Sequence, residues 1–136
     1  MKLIFQYLMI LLVFATFSAC NNKNPKDDET ALLKYVMSVH DEVMPKMADI
    51  AKAETDLEIL KKAKPNNAIY TEQLQKLQTA EDSMMDWMAN FKEDFKGMSH
   101  EDIMKYLTIQ KKNVDDMKMK ILTQLKESQT VLQQKK

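Results

Sequence analysis

Arginine is absent from this chain, and glycine and cysteine occur once each, as Gly97 and Cys20. Each shortage excludes something. Without arginine there is no bidentate clamp for phosphate or carboxylate groups. One glycine cannot build a phosphate-cradling loop. One cysteine cannot close a disulfide within the chain, so packing alone must hold the fold. The 20 lysines balance 20 acids, for a formal net charge of zero. That balance offers no clustered basic face for nucleic acid. Three prolines, Pro25, Pro45 and Pro65, are the remaining backbone breakers. With so little punctuation, long helices are the default, and no alternating strand pattern competes with them.

What is present begins with the N-terminus. Lys2 precedes an apolar run from Leu3 to Phe17, interrupted by Gln6 and Thr16, that closes on Ser18-Ala19-Cys20. A cation, an apolar stretch of about 15 residues and a small-residue exit are the pattern of a secretory signal peptide. A span that stayed in the membrane would need about 20 apolar residues. With cysteine directly after the small pair, Met1–Cys20 resembles a bacterial lipoprotein signal, although Phe17 stands where that family usually has leucine. The resemblance implies cleavage before Cys20, transfer of a diacylglycerol to its thiol as a thioether, acylation of the new amino group (palmitate or a similar chain) and a cell-envelope location, with residues 1–19 removed. Two or three acyl chains anchor stably where one is marginal. Asn21 is not the aspartate that retains some lipoproteins in the inner membrane, so the implied address is the outer membrane of a Gram-negative bacterium, facing the periplasm or the exterior. Residues 20–29 are polar and mixed in charge, and are expected to be a flexible tether. Residues 30–136 remain for one domain.

Three helical patterns follow. The first runs from about Asp28 to Lys62, with Leu33, Val36, Met37, Val39, His40, Val43, Met44, Met47, Ile50, Leu57 and Leu60 on one broad face. Pro45 removes a backbone donor and predicts a kink between Asp41 and Pro45. Lys64-Pro65-Asn66-Asn67 has turn composition. The second pattern repeats Leu74, Leu77, Met84, Met88, Phe91 and Phe95, with Glu81 in its seam, and is expected to stop at Gly97 in a left-handed cap. Ser99 with Asp102 three residues later reads as a helix start. From there Ile103, Leu107, Gln110, Val114, Met117, Ile121, Leu125 and Leu132 form the third seam. The expected fold is all-α, an up-down-up three-helix bundle with a heptad-like, coiled-coil spacing and its first helix kinked at Pro45.

Twelve methionines are far above ordinary usage, and all but Met1 and Met9 lie beyond the leader. Folding at the two turns gathers Met37, His40, Met44 and Met47 of the first helix against Met84 and Met88 of the second. Thioethers and a neutral imidazole are soft ligands suited to Cu(I). The same residues also read as flexible core filler, or as an adaptable face for a protein partner. Glu54 and Glu81 both point towards the seam, and paired carboxylates can do acid–base work. No nucleophile, second histidine or Glu-x-x-His repeat accompanies them, so they read as carboxylates reaching lysines at the bundle edge. His100 reads as exposed, and Trp87 and Tyr106 as boundary packing.

The segments His40-Asp41-Glu42-Val43-Met44-Pro45-Lys46-Met47 and Met84-Met85-Asp86-Trp87-Met88 resemble small helical lipoproteins of Gram-negative bacteria, some labelled "viral A-type inclusion protein". That label implies no activity. The expectation is a non-enzymatic interaction or structural module held to a membrane through Cys20. A protein partner or a second copy is the expected ligand, and no nucleic acid or small-molecule substrate is evident. The alternative is a copper-binding lipoprotein using Met37, His40, Met44, Met47, Met84 and Met88.

Overall fold

A computed structural model describes residues 24–134. The leader, Cys20 and the first residues after it lie outside the described residues. Within them the chain is all-helical, and its three long helical stretches pack on one another. The first stretch is in two pieces, α1 (Pro25–Val43) and α2 (Lys46–Ala63), followed by α3 (Ala68–Asn90) and α4 (His100–Gln133).

Each helix starts where a side chain can satisfy its first free donors. Asn24 Oδ1 accepts from the Lys26 N–H at 3.2 Å, and Asn67 Oδ1 from the Ile69 N–H at 3.1 Å. Ser99 Oγ accepts from the Asp102 N–H at 3.2 Å and donates to Asp102 Oδ2 at 2.7 Å. Pro25 occupies the first helical position of α1, where its missing donor costs nothing. Asp27 and Asp28 add negative charge at the positive end of the helix dipole. Residues 25–29, expected to be flexible tether, therefore belong to α1, which begins three residues before the apolar pattern does at Asp28.

Met44 and Pro45 separate α1 from α2. Both keep right-handed helical dihedrals. The Met44 N–H still bonds the His40 carbonyl at 2.8 Å, but the Met47 N–H reaches only three residues back, to Met44 at 3.1 Å. The helical stretch bends by 32°.

The core is one continuous cluster. Val36, Val39 and Val43 enter it from α1, Ile50, Ala53, Leu57 and Leu60 from α2, Leu74, Leu77, Ala80 and Met84 from α3, and Val114, Met117, Ile121 and Leu125 from α4. Burying a side chain such as Leu57 contributes roughly 1.5–3 kcal/mol. Ala80 is fully buried and takes the seam place expected of Glu81. Ser128 is also fully buried, and its hydroxyl donates to the Leu125 carbonyl of its own helix at 2.8 Å.

α3 ends at Asn90, well short of Gly97. Phe91 turns to extended backbone (φ −72°, ψ 132°). Aromatic contacts explain the early stop: Phe91 stacks on Trp87 at 4.6 Å and on Tyr106 at 6.1 Å, and Phe95 meets the edge of Tyr106 at 5.9 Å. The Tyr106 hydroxyl accepts from the Lys92 N–H at 2.7 Å, satisfying a donor that a continued helix would have used. The segment 91–99 is thus a loop folded onto α4.

Gly97 lies in that loop with φ +83°, and a side chain there would meet no atom within 4 Å. The cost of replacing it is therefore backbone strain alone. Gly97→Val should lower stability by about 1–2 kcal/mol in urea unfolding, and an unchanged midpoint would show that the loop relaxes freely. Pro45→Ala should melt at an equal or higher temperature, because it restores a helical donor. A lower melting temperature would show that the bend itself holds α1 and α2 in place.

Candidate functional site

Three of the six methionine and histidine candidates line one groove. Met37 and His40 of α1, Trp87 and Met88 of α3, and Phe91 and Glu93 of the loop surround an open hollow of about 420 Å³. Helical spacing of three places Met37 and His40 on the same face of α1. The other three candidates sit elsewhere. Met84 is fully buried in the core, Met47 packs against the core, and Met44 is exposed beyond the end of α1.

His40 has an asymmetric environment. Its Nδ1 is 3.0 Å from Asp41 Oδ1. A carboxylate can only accept, so Nδ1 carries the proton of that bond. In the neutral ring, Nε2 then holds a lone pair. Nε2 is buried and has no hydrogen-bond partner among the described residues. Leaving such an acceptor unpaired costs on the order of 1–3 kcal/mol. The His40 ring lies 5.5 Å from that of Trp87, tilted by 32°. Trp87 is fixed in turn: its Nε1–H donates to Gln110 Oε1 on α4 at 2.9 Å. Read from sequence as boundary packing, Trp87 is half-buried against the core, and it also links α1, α3 and α4. Periodicity could not reveal that, because its partners lie on other helices.

Three polar pins fasten α1 to α4. Glu29 Oε1 meets His100 Nδ1 at 2.6 Å, the Tyr35 hydroxyl donates to Asp115 Oδ1 at 2.8 Å, and Lys118 Nζ meets the Glu42 carboxylate at 2.6 Å. Lys111 adds a bond to Asp115 Oδ2 at 2.7 Å and lies over the Tyr35 ring at 4.3 Å. The hydrogen bond from Lys111, reinforced by that from Tyr35, holds the Asp115 carboxyl below its ordinary range. Between α3 and α4, Lys76 bridges to Glu127 at 3.4 Å.

Glu54 departs from its expected role. No lysine pairs with it among the described residues, and its Oε1 is buried without a hydrogen-bond partner. Burial pushes its carboxyl above the ordinary value of 4.5, and the negative charges of Glu81 and Asp82 push the same way. Among the described residues, no group of three or more His, Cys, Asp or Glu side chains could hold a metal ion.

Glu54 makes stability depend on pH. The folded chain holds this proton to higher pH than the unfolded chain, so its contribution to stability is complete below about pH 4.5 and is lost as pH rises through the raised folded value. Glu54→Gln should therefore be more stable than the parent at about pH 7, and the difference should vanish at about pH 3.5. Paired urea titrations at the two pH values measure it, and an equal difference at both would show that Glu54 is not desolvated.

The assembled site is a half-buried groove of thioether, imidazole and aromatic groups, held by hydrogen bonds on two sides. No family model, no curated protein and no solved structure matches the chain.

Proposed function

We propose that this chain is a lipid-anchored, non-enzymatic helical module of the bacterial cell envelope, engaging a protein partner or a second copy of itself. The observation that carries this reading is the placement of Cys20. It follows a short apolar run and a small-residue pair, and only Asn21–Asn24 separate it from α1. The five Cα–Cα steps from Cys20 to Pro25 span at most about 18 Å. An acylated Cys20 would hold the start of α1 close to the bilayer, and through the Glu29–His100 pin the start of α4 as well. Among the described residues no helix is long and apolar enough to cross a membrane, which is compatible with attachment through a lipid. The outer membrane of a Gram-negative bacterium is the proposed address.

An up-down-up order of the three stretches fits the pairings. Those of α1 with α4 (29 with 100, 35 with 115, 42 with 118) rise together, as expected for helices running the same way. Those of α3 with α4 (76 with 127, 87 with 110) run in opposite order. The bend in the first stretch is assigned to Pro45, which interrupts the donor ladder there. Exposed apolar side chains, among them Met119 at 67% and Met85 at 53%, offer adaptable contact to a partner.

Labelling cells with a palmitate analogue should tag the parent chain and leave Cys20→Ser untagged and released from membranes. Equal fractionation of the two would end the lipoprotein reading. Photocrosslinkers placed at Met85 and Met119 should capture a reproducible protein partner or a dimer in intact cells, and recovery of monomer alone would count against an interaction role.

A further inference from the structure

We propose that Met37, His40 and Met88 form a binding site for a soft monovalent cation, Cu(I) in particular. This goes beyond the module reading, because it needs neither an anchor nor a partner. Two thioethers and one imidazole are a donor set that favours Cu(I) over harder ions. All three side chains line the same groove, drawn from α1 and α3, and all are half-buried. The state of His40 is the second observation. Its Nδ1–H is held by Asp41 and its Nε2 has no hydrogen-bond partner among the described residues. Metal-bound histidines have that arrangement, one nitrogen donating to a carboxylate and the other free for the ion.

The surroundings suit a single positive charge. Neutral ligands leave the ion its full charge, and the carboxylates of Asp41, beside His40, and Glu93, on the groove wall, offset it. Trp87 stands next to the His40 ring and presents an indole, the aromatic group that attracts cations most strongly. Ordinary packing explains Met84, which is enclosed in the core. It does not explain why an imidazole is kept among methionines with one nitrogen unsatisfied.

Trp87 is the only tryptophan in the chain, so its fluorescence reports directly on the groove. The test uses the full-length chain in detergent micelles with Cys20→Ser, which removes the competing thiol. Cu(I) kept reduced with ascorbate should quench Trp87 in a titration that saturates at one equivalent, and Zn(II) should not. Met37→Leu and Met88→Leu nearly conserve side-chain volume, and each should weaken binding by about tenfold or more, as should His40→Gln. Met119→Leu, on an exposed face, should leave the titration unchanged. Circular dichroism checks that every variant remains helical, and a variant that unfolds is replaced by the isosteric Met→norleucine form. Absence of saturable quenching overturns the proposal, and so does quenching that survives both leucine substitutions. Zn(II) binding as tight as Cu(I) overturns the soft-ion assignment.

Discussion

One long apolar stripe constrains everything else in this molecule. α4 runs for 34 residues, about 50 Å, and buries Ile103, Leu107, Val114, Met117, Ile121 and Leu125 along a single face. A helix of this length is stable in water only if that face is covered, and none of the other helices is long enough to cover it alone. α1, α2 and α3 all pack on α4. The packing is made without disulfides, and its surface ion pairs each contribute little. Apolar burial along α4 is therefore the dominant stabilising term.

The groove exists because α3 stops early. Had α3 continued to Gly97, Phe91 and Phe95 would have stayed on a helical seam. Instead both turn onto Tyr106, and the Tyr106 hydroxyl takes up the Lys92 donor. Aromatic pairs of this kind contribute about 0.5–1.5 kcal/mol each beyond the area they bury. Together they offset the lost helical hydrogen bonds and bring Phe91 and Glu93 beside Met37 and His40. Trp87 then sits between a polar anchor on Gln110 and the His40 ring, with little freedom to move.

Much of the architecture could be read from residue spacing. The seam residues Val36, Val39, Val43, Ile50, Leu57, Leu74, Leu77, Ile103, Leu107, Val114 and Ile121 are all buried as their periodicity requires. The Ser99 cap was legible too, because capping is a local property. Spacing fails where distant contacts decide. Phe91 and Phe95 have perfect helical spacing, yet Tyr106 takes them off the helix. Pro25–Glu29 has the composition of a tether, but Asn24, Pro25 and two aspartates are also a helix start, and His100 gives Glu29 a partner. Glu54 reads as an edge carboxylate, yet no lysine among the described residues pairs with it. Of the site, folding the chain at its turns gathers Met37, His40, Met44, Met47, Met84 and Met88, of which only Met37, His40 and Met88 share the groove. The Asp41 contact of Nδ1 and the place of Trp87 depend on rotamers that spacing does not specify.

The division of the first stretch at Met44–Pro45 has a consequence of its own. α1 and α2 are attached to the rest by different means. Three valines and a row of solvent-facing polar pins secure α1, whereas α2 is seated by Ile50, Leu57 and Leu60. With the hydrogen-bond ladder cut between them, strain in one limb is poorly transmitted to the other, and transient opening of a segment follows its own local contacts. The molecule thus has a joint, and His40 stands one helical turn before it.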